Sequence, residues 1–276
     1  MQRIDSPEAA QVRRGVMATF DAIAASYEGM GFVVASARLL VREAPLAAGD
    51  QVLDLATGTG LVALAAAPAV GSSGRMVGID IAREMLDQAR QKSRLAGLDI
   101  EFREGDAEHL EFPPASFDKV LCASSLFFVP DMLAALQECH RVLKPGGWIG
   151  FTSFGPGFLL PLRELWTARL QRHGIAALWP PARRLEDAAV CRGLLEAAGF
   201  ADVTVRTRQL GYFHKNGAGR WAEICAGVEG LALRPLAPEL REQIRQEHMA
   251  ELQEHMRPEG LWVDTPVHLT SGRRAP

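Results

Sequence analysis

The chain has 276 residues, of which 48% are hydrophobic and 23% are charged, a composition typical of a globular protein with one α/β domain or two small ones. Its formal net charge of −3 lacks the Lys and Arg excess on which nucleic-acid binding depends, which disfavours a nucleic-acid partner. The four cysteines form no Cys-x-x-Cys pair, residues 1–14 contain no apolar run, and no apolar stretch approaches ~18 residues. We therefore predict reduced thiols, a cytoplasmic location and no membrane insertion.

In chain order, residues 16–45 show helix-like apolar spacing that ends at Pro45, and we predict N-terminal helices there. From Gly49 onward, short apolar runs alternate with glycine turns and helical stretches. The runs predict strands at residues 52–55, 76–79, 100–103, 119–123 and 148–153, and the stretches predict helices at 61–70, 83–96 and 132–143. This alternation is typical of a parallel sheet with helices on both faces.

The second half of the chain is less regular. Its patterns predict an apolar helical insertion at residues 156–184, a helix at 185–198, a strand at 202–208, a charged helix at 238–256 and a strand at 261–270. We therefore predict a single domain over residues 1–276, with N-terminal helices at 16–45 and a cofactor-binding core at 46–155. The domain is completed by a lid insertion at 156–184, followed by the C-terminal part of the sheet, with a helical insertion, at 185–276.

The most informative segment is VLDLATGTG at residues 52–60, where a predicted strand ends in an acid and a glycine turn opens a helix. Gly58 and Gly60 allow a ligand to approach the backbone closely, and the helix N-terminus offers free N–H groups. The same glycines also fit the dinucleotide fingerprint. However, a carboxylate at Asp54 that faces the loop would repel a pyrophosphate and attract an ammonium or a sulfonium group. An NAD(P)-dependent oxidoreductase is therefore the disfavoured alternative. The sequence also lacks the Tyr-x-x-x-Lys pair that such an enzyme would use.

Two further acids follow predicted strands. Asp80 comes 20 residues after Gly60, where a carboxylate can accept hydrogen bonds from both ribose hydroxyls. Asp106 follows the third strand beside Ala107, where an acid and a backbone N–H can bind the edge of an adenine. Together they favour a ligand that contains adenosine.

These segments, in this order and spacing, resemble the successive motifs of class I S-adenosylmethionine-dependent methyltransferases, and most of all the broad group that includes the ubiquinone and menaquinone C-methyltransferases. The likeness runs from about Phe20 to Ser153. It implies a Rossmann-like α/β fold with a seven-stranded, mostly parallel sheet, an antiparallel last strand that residues 261–270 would supply, and helical lid insertions. It also implies S-adenosyl-L-methionine as cofactor. The methyl group would pass by in-line displacement to a small apolar or aromatic acceptor (quinone-, phenol- or polyketide-like), with C- or O-methylation favoured.

The resemblance also assigns residue roles. The residues expected to contact the methionine part, the ribose and the adenine of the cofactor are Asp54, Gly58, Thr59, Gly60, Asp80, Ile81, Met85, Asp106 and Ala107. Ser124 would lie beside the sulfonium, and Tyr27 would lie over the cofactor. Ala56 stands where many relatives have a glycine, which predicts a slightly tighter turn with binding retained.

A general base is needed only if the acceptor has a proton to lose, and Tyr27, His173 and His214 are the candidates. No pair among His109, His140, His173 and His214 has metal-ligand spacing, so we predict no metal. Residues 158–162 with Leu165 and Trp166 form either an apolar lid over the acceptor or a simple cover for the sheet edge. The sequence also allows a protein that binds S-adenosylmethionine without catalysing a reaction. The oligomeric state is not determined, and a homodimer is possible.

Overall fold

A computed structural model describes residues 6–276, so the first five residues of the N-terminal segment lie outside the described part. The strands are β1 Gln51–Leu55, β2 Arg75–Asp80, β3 Glu101–Glu104, β4 Phe117–Ala123, β5 Leu143–Phe154, β6 Ala201–Gln209, β7 Tyr212–His214, β8 Leu261–Val263 and β9 Pro266–Arg273. The α-helices are α1 Pro7–Ile23, α2 Gly31–Glu43, α3 Leu61–Val70, α4 Arg83–Ala96, α5 Met132–Val142, α6 Leu162–Arg172, α7 Ala188–Ala197, α8 Gly217–Ala226 and α9 Pro238–Glu254. Within the described residues, no helix combines the length and the apolar character needed to cross a membrane.

Seven strands form one sheet in the order β3-β2-β1-β4-β5-β9-β6. Strands β1 to β5 are parallel, whereas β9 runs antiparallel between β5 and β6. This arrangement confirms the predicted seven-stranded, mostly parallel sheet with an antiparallel last strand. The strand order reverses beside β1, so the carboxyl ends of β1 and β4 border a crevice, the usual ligand site of such sheets.

The central strands are buried because helices cover both faces. Val52, Leu53, Val77 and Val120 have no exposed surface, as expected for strands that are apolar along their length. Helix α4 buries its apolar stripe and ends at Gly97, which adopts a left-handed conformation with φ of 64°. Asp131 caps α5 by accepting a hydrogen bond from the backbone N–H of Ala134 at 2.9 Å.

Four sequence predictions need correction. The N-terminal helical region begins earlier than residue 16, because Ser6 caps α1 and Pro7 occupies its first turn. The region is also broken between α1 and α2 by a 3₁₀ turn at Tyr27–Gly29. The strand predicted at 261–270 is two strands: β8 pairs with β7 in a small separate sheet, and only β9 joins the main sheet. Helix α8 and strand β7 were not predicted.

The second half builds an apolar cluster of its own among its helices. Helices α6, α8 and α9 contribute Trp166, Leu170, Ile224 and Ile244, all with no exposed surface. Trp166 is therefore a core residue of this cluster, and the proposed lid helix is largely occupied in packing. The domain boundaries stay a prediction.

Candidate functional site

A cavity of about 710 Å³, open to solvent, lies at the carboxyl ends of β1 to β4. Eight of the residues expected at a cofactor site line it: Tyr27, Gly58, Asp80, Ile81, Met85, Asp106, Ala107 and Ser124. They come from five separate parts of the chain. Asp54, Thr59, Gly60, His173 and His214 do not line it.

Asp54 lies behind the glycine loop rather than on the cavity wall. Its side chain is buried, and Oδ2 accepts hydrogen bonds from Thr57 Oγ1 at 2.6 Å and from the backbone N–H of Ala63 at 3.1 Å. Burial raises the pKa of Asp54 to about 7, against the opposing effect of these two hydrogen bonds. In this position the carboxylate ties the loop to the first turn of α3.

The loop residues Ala56, Gly58 and Gly60 all have positive φ, at 53°, 55° and 81°. A Cβ atom on Gly60 would meet Ala89 at 3.1 Å, so this glycine permits close packing between helices. A Cβ atom on Gly58 would find nothing nearer than the Tyr27 ring at 4.0 Å, which leaves its backbone accessible from the cavity. Ala56 adopts the left-handed conformation that glycine adopts more easily, which explains a preference for glycine at this position.

Asp80 connects the end of β2 to the same loop. Its Oδ2 accepts a hydrogen bond from the Gly58 N–H at 2.8 Å, and its Oδ1 accepts one from the Ala82 N–H at 2.9 Å. Burial raises the pKa of Asp80 to about 6, although these N–H groups favour the ionised form. Each carboxylate oxygen has a second lone pair. The half-buried carboxylate can therefore accept further hydrogen bonds from a diol in the cavity.

The end of β3 adds a third acid and an unexpected cation. Asp106 Oδ1 accepts a hydrogen bond from the Glu108 N–H at 2.9 Å, which shapes the turn. Arg13 of α1 places Nε 3.5 Å from Asp106 Oδ2 and also pairs with Glu108. Arg13, Val16 and Phe20 of α1 line the cavity. The sequence prediction missed Arg13 because it began the helix at residue 16, although the Ser6-Pro7 helix-start signal was available.

Ser124 forms the floor of the cavity within a buried chain of hydroxyl groups. Its Oγ lies 2.7 Å from Ser36 Oγ, and Ser36 Oγ donates to Thr152 Oγ1 at 2.8 Å. The Ser124 N–H also donates to Thr152 Oγ1 at 3.1 Å. These contacts fix the ends of β4 and β5 against α2 and hold Ser124 at a positive φ of 52°.

A second cavity of about 490 Å³ adjoins the first and is mostly aromatic. The rings of Phe154 and Phe158 stack with centroids 3.9 Å apart, and Phe32 packs edge-on against both. Four residues line both cavities and form the boundary between them: Phe20, Tyr27, Ser124 and Phe128. Of the lid insertion predicted at residues 156–184, Phe158, Leu159, Trp179 and Pro180 line the second cavity. Leu162, Leu165 and Trp166 do not.

The three candidate bases are placed differently. Burial, and then the nearby carboxylates beginning with Asp80, raise the pKa of Tyr27 above its usual range, so this phenol stays protonated at the boundary of the two cavities. His173 Nε2 lies 2.7 Å from Glu247 Oε2, and His214 Nε2 lies 3.1 Å from Glu223 Oε2. Neither histidine lines either cavity, because each is held in contacts between elements of the second half. We therefore do not retain the two histidines as bases.

Within residues 6–276, no three His, Cys, Asp or Glu side chains are grouped to hold a metal ion. The polar end of the first cavity is instead lined by the strand-end acids Asp80 and Asp106, with Arg13 beside Asp106. Such a set matches hydroxyl, amine and cationic ligand groups.

Comparisons with known proteins agree with this geometry. The family model described as "Methyltransferase domain" matches residues 52–147. The chain is 32% identical to the demethylmenaquinone methyltransferase of Geobacillus stearothermophilus over 213 residues, which cover 70% of this chain and 91% of that protein. It is 35% identical over 157 residues to the ubiquinone/menaquinone biosynthesis C-methyltransferase of Coxiella burnetii, which cover 54% of this chain and only 63% of that protein.

Solved structures show the same fold at lower identity. The YcgJ protein of Bacillus subtilis superposes with a TM-score of 0.60 at 22% identity, covering 87% of this chain and 98% of that one. The sequence resemblance is thus confirmed by relatives and by fold.

Proposed function

Since the chain belongs to the class I S-adenosylmethionine-dependent methyltransferases, we propose that it transfers a methyl group from S-adenosylmethionine to a small apolar or aromatic acceptor. The observation that carries this proposal is the pair of adjoining cavities. One has acids at strand ends, the other is aromatic, and they share Phe20, Tyr27, Ser124 and Phe128.

The residues of the first cavity fit the cofactor. The absence of a side chain at Gly58 leaves room beside the loop, Asp80 can accept hydrogen bonds from a ribose, and Asp106 with Ala107 can bind an adenine edge. When bound, the cofactor supplies a methyl group on a positively charged sulfur, which is a good leaving group.

The protein itself contributes by positioning the two reactants and by excluding water from the space between them. The boundary residues would hold the acceptor next to the methyl group of the bound cofactor, and such positioning would remove much of the entropic barrier of a two-molecule reaction. Phe20 and Phe128 pack edge to face with centroids 4.9 Å apart, which gives the boundary an apolar wall. The neutral phenol of Tyr27 can donate a hydrogen bond there but is a poor base.

The second cavity favours a flat, apolar acceptor. Its walls include the stacked pair Phe154 and Phe158, against which an aromatic ring can pack. The Geobacillus relative is named a demethylmenaquinone methyltransferase and the Coxiella relative a ubiquinone/menaquinone biosynthesis C-methyltransferase, which supports a quinone-like acceptor and C-methylation here. Phenol- or polyketide-like acceptors and O-methylation are also part of the proposal. A cytoplasmic location, the lack of a nucleic-acid partner and a homodimer stay predictions.

The test is product analysis. Purified protein is incubated with methyl-labelled S-adenosylmethionine and a panel of hydroquinones and phenols, and label transfer and S-adenosylhomocysteine are measured by mass spectrometry. Label in the acceptor, with an equal amount of S-adenosylhomocysteine, supports the proposal. Binding of S-adenosylhomocysteine without turnover on any acceptor favours the catalytically silent alternative, and binding of NADH alone favours the oxidoreductase.

A further inference from the structure

The aromatic cavity has one charged residue among the described residues that line it, Glu229. This glutamate lies in the 3₁₀ turn Val228–Leu233 and is only 4% exposed. Burying a carboxylate beside phenylalanine rings is costly unless it is paired. A carboxylate at this position therefore needs a counter-charge, and its presence in the cavity wall suggests contact with the acceptor.

The partner is Arg220 of α8, which has no exposed surface. Arg220 Nη2 donates to Glu229 Oε1, and Nη1 donates to Glu223 Oε2 at 3.2 Å. Glu223 does not line either cavity, and both of its oxygens have partners: Oε1 accepts hydrogen bonds from the Gly31 N–H at 2.9 Å and from Tyr212, and Oε2 also lies 3.1 Å from His214 Nε2. Glu223 thus supplies Arg220 with one structural counter-charge, and Glu229 supplies the other.

Glu229 is different, because one of its oxygens is left available. Within residues 6–276, Oε1 is the oxygen paired with Arg220, and no hydrogen bond reaches Oε2. Arg163 of α6, which lies over the Trp179 ring, is a second positive charge that favours the ionised form of Glu229. Burial raises the pKa of Glu229, with Arg220 opposing, so the carboxylate is a stronger base than an exposed glutamate.

We propose that Glu229 Oε2 binds an acidic hydroxyl group of the acceptor and takes its proton, so that the acceptor is a phenol or an enol. This inference rests on the proposed function and names the substrate class of the same site. In the step, the acceptor O–H bond breaks, the proton passes to Oε2, and the electron pair stays on the acceptor oxygen. The oxygen, or a ring carbon conjugated to it, then becomes the nucleophile. Arg220 holds Oε1 and keeps the carboxylate in place.

The probes are 4-nitrophenol and its methyl ether, 4-nitroanisole, titrated calorimetrically in the presence of S-adenosylhomocysteine. They fill similar space but differ in the hydroxyl group. We expect wild-type protein to bind the phenol about ten- to hundredfold more tightly, as a hydrogen bond to a charged group implies. Glu229→Gln should reduce this preference to a few-fold without changing the affinity for the ether. The matched control, Glu223→Gln, alters the same arginine outside the cavity and should retain the preference.

The absorption of the bound phenol gives a second readout. At a pH where free 4-nitrophenol is neutral, binding to the wild type should increase the phenolate band, and Glu229→Gln should abolish this increase. Equal affinity of the wild type for phenol and ether would overturn the inference, even if the variant failed to fold. Failure of the wild type to bind S-adenosylhomocysteine would instead count against the proposed function itself.

Discussion

The substitution Asp80→Asn tests the cofactor assignment most directly. In the wild type, one carboxylate holds two backbone N–H groups, from Gly58 and Ala82, at 2.8 and 2.9 Å. Asparagine keeps the size and one acceptor oxygen, but it places an NH₂ group against the second N–H and removes the charge. The amide oxygen can keep one of the two backbone contacts, so we expect the variant to fold with a weakened loop, while the site loses its best acceptor for a ribose diol.

The expected loss follows from the strength of hydrogen bonds to a charged group. Each such bond contributes roughly 1.5–3 kcal/mol, which corresponds to about ten- to hundredfold in affinity. Because the Asp80 side chain lines the cavity and is half-buried, solvent screens this loss only in part. The control is Asp87→Asn on α4, where the carboxylate is 57% exposed and pairs with Arg90. That change should alter affinity less than twofold.

Calorimetric titration with S-adenosylhomocysteine measures both variants, with NADH in parallel and thermal melting as the check on folding. If Asp80→Asn binds S-adenosylhomocysteine as tightly as the wild type, the ribose assignment is wrong. If the wild type binds NADH and not S-adenosylhomocysteine, the charge argument from the glycine loop is wrong as well.

Three further changes probe the acceptor cavity, a buried histidine and the loop conformation. Phe158→Ala should weaken binding of an apolar acceptor by roughly tenfold, because Phe158 forms part of the wall of the second cavity. The affinity for S-adenosylhomocysteine, measured by calorimetry like that for the acceptor, should not change, because Phe158 does not line the first cavity. Burial lowers the pKa of His248 from 6.5 to about 4. Since the unfolded chain takes up this proton below pH 6.5 and the folded chain does not, the wild type should lose up to about 3 kcal/mol relative to His248→Gln as pH falls from 6.5 to 4 (urea unfolding). Ala56→Gly should change the free energy of unfolding by less than about 1 kcal/mol, because relief of the left-handed φ offsets the entropy of glycine.

Each of these three predictions would be contradicted by a specific result. A parallel loss of acceptor and S-adenosylhomocysteine affinity in Phe158→Ala would mean that the two cavities are not separate sites. A stability difference between wild type and His248→Gln that does not change with pH would contradict the buried neutral histidine. Ala65→Gly, at an exposed position inside α3, should lose about 1 kcal/mol. An equal loss in Ala56→Gly would show that residue 56 is not left-handed.

The cofactor half of the protein could be predicted because its signals are local. Apolar runs that end in an acid or a glycine define β1 to β4 to within about two residues, and the helix predicted at residues 61–70 coincides with α3. Parallel strands bring their carboxyl ends to one edge, so acids at these ends, Asp80 and Asp106, meet at one cavity. Even there, the direction of a side chain was not determined: Asp54 turns behind the loop to Thr57 and Ala63.

The acceptor half was decided by tertiary structure. The second cavity combines Phe32 of α2, Phe154 of β5, Trp179 and Glu229, which are separated by as many as 197 residues in the chain. No local pattern marks Glu229 as different from the other glutamates of the second half. Its role depends on the buried Arg220 beside it and on the aromatic wall that it faces. The sequence by itself thus determined the fold and the cofactor, since both follow from short-range patterns. Only the packing of distant segments determined which side chains face the acceptor.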